Sequence, residues 1–286
     1  VNLDTPLPVA GAVGRTLVVG PDQSAGGGFG TIAAALALAR SGDVVFVQPG
    51  TYDENLVVTT DYVTLIGAQL GGYGRPDVIA SSGVALVVRA QGFVAKRCRF
   101  GTEGNTDGTR IEGNGYNFED CVFDGNGTET GTVAPLRLWC HASDDSFTAS
   151  EGIIKDCLVR GSGAKGLVLD CQNAAVGVLP TDDVFDNIRF ADNVAEDIFL
   201  AATAVSAADM KRCVFYRCHI GIGGKNKATH VDIKTNKIGT ANTSVFEECF
   251  VNDDTIDTTA LKVDATGSSF VGCYNLDGVI NGDAID

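Results

Sequence analysis

Several residue types are nearly missing from this chain. Among 286 residues there is one methionine, one tryptophan and seven prolines, against 36 glycines. Few helix formers beside abundant glycine favour many short strands joined by tight turns. No stretch approaches the roughly 20 apolar residues that a membrane-spanning helix needs. Basic residues are also short, 21 against 36 acidic, for a formal net charge of −15. A surface of that sign repels phosphate backbones and anionic lipid, which argues against nucleic acid and membrane as partners and disfavours polyanionic sugars. The opening "VNLDTPLPVAGAVG" lacks the basic and apolar regions of a secretory signal. The nine cysteines are odd in number and spread over 98–273, which argues against a fully paired disulfide framework.

What is present is a repeat. The words "VAKRCRF", "NFEDCVF", "IIKDCLV", "DMKRCVF", "VFEECFV" and "SFVGCYN" align on a central cysteine. With one isoleucine copy, the aligned positions are Cys98, Cys121, Cys157, Ile188, Cys213, Cys249 and Cys273. Three residues earlier stand Ala95, Phe118, Ile154, Phe185, Met210, Phe246 and Phe270. A metal ligand would not tolerate exchange for isoleucine, whereas a small buried apolar position does, because a free thiol packs as a small hydrophobe. The cysteines are therefore read as one internal stack, and no metal or cofactor is expected. A second series, Val88, Ile111, Leu138, Leu169, Leu200, Ile233 and Val263, has apolar or threonine partners two residues earlier, the alternation of a strand with one face inside. Between the partners lie Val87, Arg110, Arg137, Val168, Phe199, Asp232 and Lys262.

Cysteine words recur every 23 to 36 residues, the spacing of a solenoid whose coils stack as parallel strands. Two residues before the cysteine the charge alternates through Lys96, Glu119, Lys155, Asp186, Lys211 and Glu247 before Val271, an expected surface ladder. Segment 218–224, "CHIGIGG", is ambiguous and can be a strand of its own.

Ahead of the repeats, Phe29, Ile32, Ala33, Leu36 and Arg40 follow a helical period, with Gly42 as a stop. A helix there would lie over the exposed end of the first coil. "GGGFG" lacks the third glycine of a dinucleotide loop, Thr31 standing in its place. The stretch "FGTIAAALALARSGDVVFVQPGTYDENLVV…VTLIGA" resembles the opening of the pectin-lyase-like superfamily. The resemblance implies an all-β fold: a right-handed parallel β-helix of about seven or more coils with a short N-terminal capping helix. The expected divisions are an arm and first strand at 1–25, a capping helix and first coil at 26–67, and the helix body at 68–286.

The superfamily's catalytic words are not found. The glutamine–aspartate–threonine word of pectin methylesterases is missing, and "DDVFDNIRF" at 182–190 only faintly resembles their aspartate-rich strand. Among acidic pairs, Asp144 and Asp145 lead, with His141 and Arg160 near them in sequence; Asp182–Asp183 and Asp253–Asp254 follow. Paired carboxylates can hydrolyse glycosides, but adjacent aspartates usually mark solvated loops. Ser162 lacks the context of a nucleophile elbow, and His219 and His230 lack ligand spacing. The main expectation is therefore a non-catalytic phage virion component, a capsid decoration or spike subunit. It would be a trimer docking on other virion proteins through Leu3, Pro6, Pro8 and Ile280, with its last coil covered by another chain. A polysaccharide lyase or hydrolase, secreted or extracellular, is the alternative, as is a carbohydrate-binding adhesin module; Trp139, Phe199, Phe250 and Tyr274 are outward aromatics that would suit a sugar.

Overall fold

Short strands of alternating polarity close into three flat walls, because each wall turns one residue in two toward a shared interior. The computed structural model describes residues 14–20, 28–68, 74–140, 149–171, 182–202, 213–222, 231–232, 245–251, 263–264, 269–275 and 278–283. The first wall stacks Thr16–Val19, Val44–Val47, Thr64–Gly67, Val94–Lys96, Asn117–Glu119, Ile153–Lys155, Val184–Asp186, Val214–Tyr216, Val245–Glu247 and the start of Ser269–Asn275, all parallel. The second stacks Thr51–Tyr52, Asp77–Ala80, Arg99–Thr102, Val122–Asp124, Leu158–Arg160, Arg189–Ala191, His219–Ile222, Phe250–Val251 and the end of Ser269–Asn275. The third stacks Leu56–Val58, Leu86–Val88, Thr109–Ile111, Leu136–Cys140, Leu167–Cys171, Ile198–Ala202, Val231–Asp232 and Val263–Asp264. This is the expected parallel β-helix.

A two-residue corner joins the first wall to the second. Its first residue is left-handed in coil after coil: Arg97, Asp120, Asp156, Asn187, Arg217 and Glu248, with φ between 51° and 57°. For residues with a Cβ that conformation costs about 1–2 kcal/mol each, so the packing on either side must outweigh it. The second corner residue is the buried one: Cys98, Cys121, Cys157, Ile188, Cys218, Cys249 or Cys273.

That list corrects the sequence alignment. Cys213 is not in the stack; it precedes its coil's first-wall strand, and Cys218 takes the corner. Both "DMKRCVF" and "VFYRCHI" satisfy the same word, but Phe215 pairs with Phe185 and Phe246, which puts Arg217–Cys218 at the corner. His219–Ile222, the ambiguous segment, is accordingly a second-wall strand. The charge ladder changes with it. Lys96 and Glu119 pair at 2.5 Å, but the rung after Asp186 is Tyr216 rather than Lys211, and Asp186 pairs instead with Arg217 at 2.7 Å. On the third wall Val263 pairs with Val231 rather than with Ile233.

The cysteines also have a bonding role. The thiols of Cys121, Cys157, Cys218, Cys249 and Cys273 donate to the carbonyls of Ala95, Phe118, Phe185, Phe215 and Phe246 on the preceding coil, at 3.2–3.7 Å. A small side chain that both fills the corner and gives a weak donor to a buried carbonyl suits cysteine better than valine or alanine. Beside the stack, Phe185, Phe215 and Phe246 lie face to face at 4.5 and 4.6 Å.

At the N-terminal end, helix Ile32–Leu38 buries Ile32, Ala35 and Leu36, while Ala33 and Arg40 face solvent. The Glu54 carboxylate accepts from the Ile32 and Ala33 amides at 2.9 and 2.8 Å, closing the helix start. Arg15 and the Arg40 amide converge on buried Asp43, whose carboxyl the Arg15 guanidinium holds down at about 2. At the other end, Gly278–Asp283 folds back antiparallel on Ser269–Asn275, with Ile280 opposite Cys273. The chain's own strand thus occupies the edge of Ser269–Asn275, the last described strand of the first and second walls. Leu3, Pro6 and Pro8 lie outside the described residues.

Replacing Phe215 by alanine removes the middle ring of the stack and should destabilise the fold by about 3–5 kcal/mol in denaturant titration. In the native protein the thiols of Cys98, Cys121, Cys157, Cys213, Cys218, Cys249 and Cys273 should resist a thiol reagent until denaturant is added, because all are buried and free.

Candidate functional site on the third wall

The outward column of the third wall places like charges one above the other: Arg110 pairs in register with Arg137. Neighbouring guanidinium groups repel unless carboxylates stand between them. Asp107 supplies one. Its Oδ2 accepts from Arg110 Nη2 at 3.1 Å and Arg137 Nε at 2.8 Å, while its Oδ1 accepts from the Ala134 amide at 3.2 Å. Asp170, one rung further on, receives Arg137 Nη1, and the Thr132 carbonyl receives Arg137 Nη2. Asp107, Arg137 and Asp170 are almost wholly buried, with side chains 5%, 7% and 5% exposed.

Aromatic rings complete the face. Trp139 lies beside Asp170 in register, and the Arg110 guanidinium sits 3.7 Å from its ring centre. Lys165 Nζ stands 4.2 Å from the Phe199 ring and pairs with Glu196. Toward the N-terminal end Arg89 Nε donates to Glu112, itself buried, at 2.7 Å. Arg110 Nε is buried with no hydrogen-bond partner among the described residues. An unmet guanidinium donor beside an indole is a place for an oxygen-bearing ligand to bind.

The sequence candidates fall differently. His141, Asp144 and Asp145 lie outside the described residues, but segment 141–148 follows directly from strand Leu136–Cys140, which carries Arg137 and Trp139. Arg160 is elsewhere. It projects from the second wall, where Asp124 Oδ2 accepts from its Nη2 at 3.0 Å, so the structure places it on another wall from the strand that leads into 141–148. Asp253 and Asp254 are also outside the described residues. Asp183 is interior. Its Oδ1 accepts from the Tyr116 hydroxyl at 2.8 Å and the Gly152 amide at 2.9 Å, and its Oδ2 is buried without a hydrogen-bond partner among the described residues. Burial lifts its carboxyl to about 7. Ser162 is buried, its hydroxyl accepting from the Ala164 amide at 3.0 Å, and it is no nucleophile.

Sequence reading missed Asp107 and Asp170 because neither belongs to a pair or a motif. A signal was present. Arg110 and Arg137 occupied the same outward column, and like charges on adjacent rungs require acids from neighbouring segments.

The sequence matches no family model and no curated protein. Solved structures do match over nearly the whole chain. A pectin methylesterase from Aspergillus niger is 14% identical with a TM-score of 0.58, covering 93% of this chain and 85% of its own. An alginate lyase from Paenibacillus sp. is 14% identical with a TM-score of 0.60, covering 93% and 96%. A pectin methylesterase from Erwinia chrysanthemi is 13% identical with a TM-score of 0.55, covering 95% and 92%. The fold is a pectin-lyase-like parallel β-helix. These neighbours also correct the functional expectation. They are carbohydrate-active enzymes, so the reading as a non-catalytic phage virion component gives way to the enzymatic alternative.

Two measurements test this part of the structure. Arg137→Ala leaves two buried carboxylates without their cation and should cost about 3–5 kcal/mol in a stability titration. For Asp183, the folded value lies above the unfolded 3.8, so the native state holds the extra proton between about pH 4 and 7. Stability from this group should therefore fall as pH rises through that window. Asp183→Asn, which mimics the protonated side chain, should flatten that slope and be the more stable form above pH 7.

Proposed function

We propose that this chain is a polysaccharide-acting enzyme, a lyase or a hydrolase, that works on uronate-containing chains along the outer face of the third wall. The observation that carries this reading is the Asp107–Arg137–Asp170 cluster with Arg110 on Trp139. Arg110, Arg137, Trp139 and Asp170 stand on three successive strands of the third wall, and Asp107 reaches Arg110 and Arg137 from just before the first of them. Neighbours sharing the fold bear the names pectin methylesterase and alginate lyase, and their polymers have carboxylated sugars in common.

The chemistry follows from charge exchange. Guanidinium groups bind carboxylates in a planar fork, so a uronate entering beside Trp139 competes with Asp107 and Asp170 for Arg110 and Arg137. Arg110 Nε, otherwise unmatched, gains an acceptor. Neutralising the uronate carboxylate makes its adjacent C–H more acidic, and the displaced carboxylate of Asp170 becomes a base. In a lyase it takes that proton, the C–H electron pair forms a C=C bond as the neighbouring C–O bond breaks, and the leaving sugar oxygen takes a proton from water. In a hydrolase it takes a proton from the attacking water as the glycosidic C–O bond breaks, with the same proton supply to the leaving oxygen. Trp139 offers the sugar an apolar surface. Arg89, Arg110, Arg137 and Lys165 balance Glu112, Asp107, Asp170 and Glu196 on this face, so it is locally near neutral where the molecule as a whole is acidic.

Purified protein should be incubated with polygalacturonate, methyl-esterified pectin and alginate, scoring unsaturated ends, reducing ends and released methanol. Turnover of at least one polymer is expected. Asp170→Asn should lower it by about 10²–10⁴-fold, the usual contribution of a general acid or base, while Arg137→Lys, which keeps the charge but loses the fork, should lower it less. Folded wild-type protein inert toward all three polymers would overturn the reading.

A further inference from the structure

The second wall carries a different pattern of charge, on a face the third-wall site does not use. One outward column runs Asp77, Arg99, Val122, Leu158, Arg189, His219 and Phe250, each in register with the next. The adjoining column runs Gly101, Asp124, Arg160 and Ala191. Asp124 is buried between two arginines. Its Oδ2 accepts from Arg99 Nε at 2.8 Å and from Arg160 Nη2 at 3.0 Å, while Asp77 stands 3.5 Å from Arg99. Arg189 and His219 are exposed, and Arg189 forms no ion pair among the described residues. His219 packs at a tilt against the half-buried Phe250 ring, 6.0 Å between centres.

Three guanidinium groups therefore face two carboxylates here, on a chain whose formal charge is −15. The strip is locally cationic where the molecule as a whole is anionic, so it selects for negative charge. It also has a period. Rungs of a parallel wall lie about 4.8 Å apart, comparable with one pyranose unit in an extended chain. Between Arg99 and Arg189 the first column carries Val122 and Leu158, both half-buried. Asp124 holds the Arg99 and Arg160 side chains in place, which lowers the conformational cost of binding.

We propose that this face is a second binding strip for a carboxylate-bearing polysaccharide, laid along the helix axis with its carboxylates meeting Arg160, Arg189 and His219 on three successive rungs and Arg99 two rungs before Arg160. Phe250 supplies an apolar surface at one end. The strip would hold a long polymer while the third wall acts on it. The proposal rests on the polysaccharide reading above, and it adds a site that binds without cleaving. Nucleic acid carries the same sign of charge but more of it, about one charge per 1.7 Å of duplex against one per sugar unit in a polyuronate, so the acidity of the rest of the surface opposes it more strongly.

The test is affinity electrophoresis of the whole chain through gels containing polygalacturonate, alginate, methyl-esterified pectin or double-stranded DNA. Wild type is compared with R189A/H219A, whose sites are exposed and outside the third-wall cluster. Unchanged thermal melting would show the double variant folded. Polygalacturonate or alginate should retard the wild type, and the double variant should bind about tenfold more weakly, the order expected for losing charge-assisted contacts. Methyl-esterified pectin and DNA should show no such difference. Equal retardation of the two proteins by both uronate polymers, an equal loss on the esterified polymer, or DNA binding lost in parallel would each overturn the strip. The two proposals separate cleanly. Turnover without a binding difference removes the strip and leaves the enzyme. A binding difference without turnover on any polymer keeps the strip and removes the enzyme.

Discussion

Vertical register governs this molecule. In a parallel β-helix each residue rests about 4.8 Å from its counterpart on the next coil, so a side chain is chosen for its neighbours above and below as much as for its place along the chain. Inside, this produces columns of one kind: the rings of Phe185, Phe215 and Phe246, and the corner cysteines whose thiols reach back to carbonyls of the coil before. The left-handed corner residues are tolerated because a slip of one residue would turn every inward side chain out into water.

The same stacking acts on charge outside. Two arginines in adjacent rungs repel, and the chain answers with an acid placed between them. On the third wall the acids are Asp107 and Asp170 around Arg137, almost dry; on the second wall a single Asp124 serves Arg99 and Arg160. Such burial is expensive, since desolvation offsets most of the attraction between buried ions. A structure of this kind needs no buried ions for its core, which is apolar and continuous. Charged clusters on its walls are therefore additions to that core, and the two proposals above rest on them.

Asp183 shows the opposite case. It sits among core side chains with one oxygen satisfied by Tyr116 and Gly152, and burial lifts its carboxyl to about 7. It behaves as an internal polar tie whose proton is part of the packing, although in sequence it looks like half of a catalytic pair.

The solenoid itself was legible in the sequence, because burial acts on single positions: an apolar residue every second place and a small one at each corner appear directly in the order of residues. The N-terminal helix was legible for the same reason. Cys213 and Cys218 were not separable, since both end a word of the same spacing, and only the pairing of Phe215 with Phe185 and Phe246 selects between them. The candidate site was less legible still. Arg110 and Arg137 were visible as outward positions, but Asp107 and Asp170 reach Arg137 from other coils, 30 and 33 residues away along the chain. Local pattern determined which residues face in and where the chain turns. Which charges meet across coils was decided by the tertiary structure alone, because intervening loops of unequal length erase any fixed spacing between residues that stacking brings together.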